Sequence, residues 1–333
     1  MSAATQFIRE AASSPDDGAF IDHTSGYLAL SPRKDRFTVA SGPGFVSYKE
    51  KGKHLFSFGG IHAPKSFRAE LLDRFLDEAA QRRREVIVLQ LPEDQIDLFV
   101  SRQFAVNQMG SSCGIRLGEF RFSGTRRMKL RNKIKRARES GLTILEVGRE
   151  IPDRESTYQR IFQVSDAWVK EKGGKELDFL VGEIGQTGQQ DRRIFLICDK
   201  QSRIVGFITY VPVWGRYPGY LHDLTRRLKE APVGAMELCN AFALERFKEE
   251  RVRHLHFGFT PFIVDKTKRT GESRVLALLI RALGRYGARL YPAQSQFMYK
   301  QKWAPDIIER EYIAFRKFSP RSLFDVMTLT RTL

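Results

Sequence analysis

YLHDLTRRLKEAPVGAMEL, residues 220–238, decides how the chain is read. Its opening has the apolar character of a strand that ends at His222-Asp223. Arg226 and Arg227 follow, and then Pro232, which suits the first turn of a helix because its fixed φ is already helical. The stretch is therefore a strand, a charged turn and a helix, the repeating unit of α/β proteins. An Asp at a strand end with an Arg three residues on orients or deprotonates a hydroxyl beside an anion clamp. It serves equally well as a structural ion pair, and the stretch alone does not choose.

Working outward, the alternation continues in both directions. Downstream, RHLHFGF (253–259) predicts a strand, GESRVLALLIRALGRYG (271–287) a helix, REYIAF (310–315) a strand and SPRSLFDVMTLTRTL (319–333) a last amphipathic helix. Upstream, RIFLICD (193–199) and RIVGFITYVPV (203–213) predict a hairpin, after a helix over about 154–172 and a strand at 143–147. Earlier still, RFTVAS (36–41) alternates, and GFVSYKEKGKHLFSFGG (44–60) reads as a hairpin turning at Lys51-Gly52. PKSFRAELLDRFLDEAAQRRR (64–84) then predicts a helix, EVIVLQL (85–91) a buried strand and PEDQIDLFVSR (92–102) a short helix, with two short strands to about 118. This order predicts an α/β protein with two domains of similar plan, each a mixed sheet flanked by helices. The boundaries are a variable segment at 1–26, an N-terminal domain at 27–118 and a C-terminal domain at 119–333.

The 333 residues suit two such domains, and 42% hydrophobic with 29% charged residues is a globular composition. Net charge is +17, a surplus that favours a polyanionic partner, nucleic acid or an anionic membrane surface. Much of it is concentrated in RRMKLRNKIKRARESG (126–141), where eight of the first thirteen residues are Lys or Arg. Leu130, Ile134 and Ala137 make a narrow apolar stripe at helical spacing, and Arg126, Arg127, Lys129, Arg131, Lys133, Lys135 and Arg136 surround it. A solvated helix ordinarily mixes signs and gains ion pairs one turn apart. This one carries almost none, so phosphates of RNA or of lipid head groups are the natural counter-charge. The three cysteines, Cys113, Cys198 and Cys239, form no CxxC pair, which suggests neither a disulfide framework nor a zinc ribbon and fits a reduced, cytoplasmic setting. The N-terminus lacks a signal peptide's apolar run. The longest apolar runs, such as VLALLI (275–280), fall short of the roughly 20 residues that span a bilayer.

His254 and His256 lie two apart on one strand face. With no third ligand nearby they favour packing over a metal, so no metal is expected. Lys300 and Lys302 sit among aromatics in SQFMYKQKWAP (295–305), where they either meet substrate anions or lie along apolar surface. No GxxxxGK[ST], GxSxG or HExxH occurs, so ATP hydrolysis, serine-hydrolase and zincin chemistry lack support.

Taken together, FSGTRRMKLRNKIKRARESGLTI (122–144), SDAWVKEKG (165–173), HDLTRRLKEAPVGAME (222–237), LHFGFTPF (255–262) and FMYKQKWAPDIIEREYIAF (297–315) resemble the C-terminal catalytic region of bacterial phosphatidylglycerol lysyltransferases, the aminoacyl-phosphatidylglycerol synthases. The likeness spans about 27–333. Asp223, Arg226, Pro232 and Gly234 keep the spacing of that family's D-L-x-R…P-x-G element. The chain has Glu237 where the family usually has Asp, and HFGFTPF where it has N-L-G-M-A-P. The resemblance implies tandem acetyltransferase-like (GNAT) domains in a free-standing form without the multi-helix flippase. It implies an aminoacyltransferase that moves an aminoacyl group from aminoacyl-tRNA to a lipid hydroxyl such as that of phosphatidylglycerol, with no cofactor. The expected location is the cytoplasm, peripheral at the inner face of the membrane. Asp223 and Arg226 are then the expected catalytic residues, and Arg227, Glu237, Lys300 and Lys302 the expected substrate contacts. The seven basic residues between 126 and 136 become the expected seat of the tRNA, and an anionic phospholipid surface the second partner.

Two rivals stand beside this reading. A coenzyme A-dependent N-acyltransferase of the same fold would need an R/Q-x-x-G-x-G/A loop to cradle pyrophosphate on backbone N–H groups. Here that position reads KEAPVGA (229–235), where Pro232 has no N–H and the first glycine is missing. A non-catalytic RNA- or membrane-binding protein is the other rival, and Asp223 and Arg226 at family spacing weigh against it.

Overall fold

A computed structural model describes residues 7–8, 15–40, 42–171, 182, 184–185, 191–265, 271–286 and 293–329. The first half runs β1 (Phe7–Ile8), β2 (Asp35–Phe37), β3 (Val46–Lys51), β4 (His54–Phe58), α1 (Arg68–Gln81), β5 (Glu85–Pro92), α2 (Ile96–Val100) and β6 (Ala105–Arg116). The second continues with α3 (Met128–Glu139), β7 (Thr143–Glu146), α4 (Glu155–Glu171), β8 (Arg193–Cys198), β9 (Ile204–Val213) and β10 (Gly219–Arg227). It ends with α5 (Ala235–Glu249), β11 (His254–Pro261), α6 (Arg274–Tyr286), α7 (Ala293–Gln301), β12 (Ile307–Phe315) and α8 (Pro320–Leu329).

The α/β plan read from the sequence is present, and its two half-sheets join into one twelve-stranded sheet of order β1-β2-β3-β4-β5-β12-β6-β11-β10-β9-β8-β7. In each half an antiparallel meander is followed by a crossover helix and one parallel strand. β2-β3-β4 leads through α1 to β5, parallel to β4. β8-β9-β10 leads through α5 to β11, parallel to β10. The last strand of each half is then exchanged: β6 pairs with β11, and β12 pairs with β5. The two exchanged strands pair with each other along the centre of the molecule. This is the tandem acetyltransferase-like arrangement, closed by a strand swap that no local pattern encodes.

Several elements differ from their sequence expectation. The two short strands expected before 118 are one continuous strand, β6. β10 does not end at Asp223 but runs on to Arg227 past a bulge between His222 and Thr225. Pro232 is not in the first turn of its helix, because α5 starts at Ala235 with Gly234 before it at φ 93°. α7 had no sequence signal. α8 turns Ser322 and Asp325 inward, and both bond to His54 of β4: Asp325 Oδ2 lies 2.8 Å from Nδ1 and Ser322 Oγ 3.1 Å from Nε2. All three side chains are buried, so this Ser–His–Asp group is an anchor for α8 and has no open face for chemistry. Residues 330–333 of the expected last helix lie outside the described residues.

Apolar clusters cover both faces of the sheet. Leu130, Ile134 and Ala137 of α3 are all buried, as their spacing predicted, among residues of α5, β8 and β11. Residues 21–29 run across the opposite face, packing Ile21, Leu28 and Ala29 against Phe56, Phe58, Leu89, Leu276 and Ile313.

Candidate active site

The site forms where β10 and β11 part. Their parallel register holds from Gly219↔His254 to Leu221↔His256. β10 then bulges against β9, and β11 bulges against β6 between His256 and Gly258. Two bulges on neighbouring strands open a wedge, a common device for aiming side chains at a ligand.

Asp223 lies at this opening with its side chain buried, and Arg192 Nη1 donates to its Oδ2 at 2.6 Å. Burial pushes the Asp223 carboxyl above its usual pKa, against the opposing pull of Arg192, of the Gly182 N–H that donates to it, and of Arg226. Gly182 is a close approach: an added Cβ there would collide with the Asp223 carboxylate. Arg226 stacks its guanidinium 4.1 Å from the Trp168 ring centre, and its Nη1 donates to Thr225 O at 3.1 Å. Asp223 thus shares the opening with two guanidiniums, Arg192 and Arg226, groups of the kind that hold a phosphate or a developing oxyanion. Arg192 also lies 5.6 Å from the Tyr27 ring, so the segment crossing the sheet walls the site.

His222, on the neighbouring position, is paired with Thr225 Oγ1. Burial, reinforced by the charge of Lys300, pushes its pKa down to about 3, so the imidazole is neutral at ordinary pH. Lys300 reaches under the wedge from α7. Its Nζ donates to Gly258 O at 2.8 Å, Phe259 O at 2.9 Å and Thr260 Oγ1 at 2.8 Å. Burial lowers its pKa to about 8.

The other expected contacts fall elsewhere. Glu237 is buried in the first turn of α5 and holds two ammonium groups, Lys302 and Lys133, each at 3.1 Å. Burial works to raise its pKa, but the two lysines outweigh it and hold the carboxylate ionised. Arg227 is exposed at the end of β10. The basic residues divide into two sets. Arg127 lies over Phe120 at 4.4 Å and donates to Trp303 O at 3.4 Å. Arg131 Nη1 donates to the carbonyls of Phe122 and Gly124 at 2.7 and 2.6 Å. Lys133 is held by Glu237. Arg126, Lys129, Lys135 and Arg136 are exposed, with Lys135 paired to Glu139 at 3.7 Å.

α3 also bears on the coenzyme A reading. At Gly234 an added Cβ would collide with the Lys133 carbonyl, so the α3 backbone lies directly on the start of α5. That is where a pyrophosphate would rest on helix N–H groups. Gly234→Ala is expected to cost about 2 kcal/mol or more, since the left-handed φ alone costs ~1–2 kcal/mol. Urea unfolding checks this; an unchanged midpoint would mean that α3 yields.

His256 Nε2 bonds to Tyr217 O and His254 Nδ1 to Pro218 O, each at 2.9 Å, so both rings tie β11 to the loop that precedes β10. Among the described residues no three His, Cys, Asp or Glu side chains stand close enough to hold a metal. The sequence reading missed Arg192, Tyr27 and Gly182. Trp168 sits inside the SDAWVKEKG stretch, which carried a signal for it; Arg192 is one of several arginines before a strand and carried none.

Comparison with known proteins adds kinship to this geometry. The family described as "Phosphatidylglycerol lysyltransferase, C-terminal" matches residues 19–315. A phosphatidylglycerol lysyltransferase of Staphylococcus epidermidis is 24% identical over 319 residues, covering 94% of this chain and 36% of the relative. The lysylphosphatidylglycerol biosynthesis bifunctional protein LysX of Rhodococcus opacus is 22% identical, over 87% of this chain and 26% of that protein. The chain thus spans between about a quarter and about a third of the length of these relatives. The solved structure of L-PGS from Bacillus licheniformis superposes with a TM-score of 0.77 at 21% identity, covering 95% of each chain. A C-terminal domain from Agrobacterium fabrum gives 0.78 at 18% identity, covering 96% of each. At these identities the two structures share the fold.

Proposed function

The chain belongs to the phosphatidylglycerol lysyltransferase C-terminal family, and we propose that it moves an aminoacyl group, lysyl as in its relatives' names, from aminoacyl-tRNA to the hydroxyl of phosphatidylglycerol. The observation that carries the reading is Asp223, a buried carboxylate held between Arg192 and Arg226 at the parting of two parallel strands. In the proposed step the lipid hydroxyl oxygen attacks the aminoacyl ester carbonyl. A new ester C–O bond forms, the bond to the tRNA ribose oxygen breaks, and the proton of the attacking hydroxyl ends on that ribose oxygen. One ester replaces another, so no nucleotide is consumed. Asp223 orients the hydroxyl and takes its proton, Arg226 faces the oxyanion or the lipid phosphate, and Arg192 fixes the carboxylate. Positioning and charge stabilisation do the catalysis. The work is done at the inner face of the membrane, to which the protein comes from the cytoplasm.

The direct test supplies a mixture of labelled, charged tRNAs and phosphatidylglycerol vesicles. Label passing from tRNA to lipid is the expected result. Label that stays on tRNA, or moves to a soluble molecule, overturns the reading.

The exposed face of α3 is the proposed seat of the tRNA acceptor arm, held through phosphates and shape. Arg126, Lys129 and Arg136, replaced together by Ala, are expected to weaken tRNA binding. They should also flatten the slope of log affinity against log salt by roughly two units, at somewhat under one unit per phosphate contact. Arg131→Ala, which removes bonds to the protein's own carbonyls, is expected to leave that slope alone. Filter binding across a salt series reads both, and an unchanged slope in the triple variant removes α3 from the tRNA site.

A further inference from the structure

α6 carries its apolar residues on the outside. Val275, Leu278 and Tyr286 are 79%, 66% and 76% exposed, and Ala282 is exposed between them. Positions 275, 278, 282 and 286 step by three, four and four, so they form one face of the helix. Leu279 and Leu283 are half-buried along its edge. The inward side is narrow: Leu276 and Ile280 alone are buried, in the cluster that includes Ile21, Leu28, Phe58 and Ile313. The start of the helix is fixed to the central strand β6 by two bonds. Asn107 Nδ2 donates to Ser273 O at 2.9 Å, and the Ser273 N–H donates to Asn107 Oδ1 at 3.1 Å. α6 is therefore a firmly seated helix whose larger apolar face has no protein against it among the described residues.

The charges beside that face name the occupant. Arg274, Arg281 and Arg285 are exposed, and the helix sequence RVLALLIRALGRY contains no acid. Glu272 precedes the helix, and the nearby Asp265 is occupied by Arg310. An apolar stripe rimmed by arginines is the pattern of a helix that lies in the plane of a bilayer, its apolar side among acyl chains and its cations at the phosphates. A second copy of this chain fits worse. A two-fold interface would bring the same three arginines towards one another, on a body that already carries +17.

We infer that α6 is the element by which the protein docks on an anionic phospholipid surface. Val275, Leu278, Ala282 and Tyr286 enter the interface, and Arg274, Arg281 and Arg285 meet the head groups. The inference rests on the proposed lipid acceptor for its choice of surface. Its geometry is independent of the chemistry at Asp223. α6 packs on the same side of the sheet as the segment that carries Tyr27 to Arg192, so docking through α6 brings lipid to the face on which the site is walled.

Sedimentation with vesicles of phosphatidylcholine containing increasing phosphatidylglycerol tests this on the full chain. Wild-type binding is expected to rise with phosphatidylglycerol and fall with salt. The double substitution Val275→Glu with Leu278→Glu is expected to weaken binding at least tenfold, while circular dichroism and tRNA affinity match wild type. A triple Arg274→Gln, Arg281→Gln, Arg285→Gln variant is expected to lose the dependence on phosphatidylglycerol. Two outcomes overturn the inference. One is undiminished vesicle binding by the double Glu variant. The other is a wild-type dimer in analytical ultracentrifugation that the double Glu variant makes monomeric, which would mean that a second copy covers the stripe. Loss of vesicle binding in the Glu variant, found together with a wild-type protein that transfers nothing to lipid, upholds the docking and overturns the transferase reading alone.

Discussion

Asp223→Asn is expected to lower aminoacyl transfer by two orders of magnitude or more, on the order of 3 kcal/mol of barrier. In the proposed step this carboxylate takes the hydroxyl proton while it stays beside the Arg192 and Arg226 guanidiniums. Arg226→Ala is expected to do as much damage by removing the cation proposed to face the developing charge. The Asn variant also takes from the buried Arg192 its carboxylate partner, and breaking such a pair costs about 3–5 kcal/mol of stability. Activity must therefore be read on protein shown to be folded. The pH profile separates catalysis from folding. In the proposed step Asp223 works as the anion, which exists above its pKa, and burial lifts that pKa above the ordinary 3.8. The rate should fall as pH drops through the raised value. Arg192 opposes the lift, so Arg192→Gln should move the acid limb to still higher pH. A limb that stays put in Arg192→Gln, or near-normal turnover in Asp223→Asn, removes Asp223 from the mechanism.

Lys300→Ala is expected to strike stability before chemistry. Its ammonium is bonded to two backbone carbonyls and a hydroxyl of β11 where that strand bulges. Truncation leaves those buried acceptors without a donor, at about 1–3 kcal/mol each, so a total on the order of 3–5 kcal/mol is expected. Urea unfolding should show a lower midpoint at an unchanged slope. A variant as stable as wild type yet inactive would give Lys300 a direct part in holding substrate.

Local physics was legible wherever it repeats along the chain. The apolar spacing of Leu130, Ile134 and Ala137 marked the inner side of α3, and Lys51-Gly52 marked a hairpin whose register closes at Lys51↔His54. Direction was not legible. The sequence counts seven cations between 126 and 136, but Arg127, Arg131 and Lys133 turn inward to carbonyls and to Glu237, because a long cationic side chain bonds whatever acceptor its helix position offers. Asp223 and Arg226 stood out from their spacing. Their setting did not, since Arg192 and Tyr27 reach them from elements distant in sequence and the bulge that carries β10 on to Arg227 is a feature of strand pairing. α7 failed to register for a related reason: it buries only Ala293 and Lys300, so no apolar stripe announces it.

The exchanged central strands carry a consequence for how the protein is made. Ser112 and Glu311, bonded side by side on β6 and β12, are 199 residues apart in the chain. When β5 and β6 leave the ribosome, the strand that must lie between them has not been synthesised. At about 5–20 residues per second, the wait for β12 is roughly 10–40 s. Throughout that time two long strands hold unpaired N–H and C=O groups facing an empty lane, the arrangement that recruits foreign strands. Contacts of such long sequence separation also form slowly. Chaperone cover during synthesis, and poor recovery after dilution from denaturant, are what this architecture asks for.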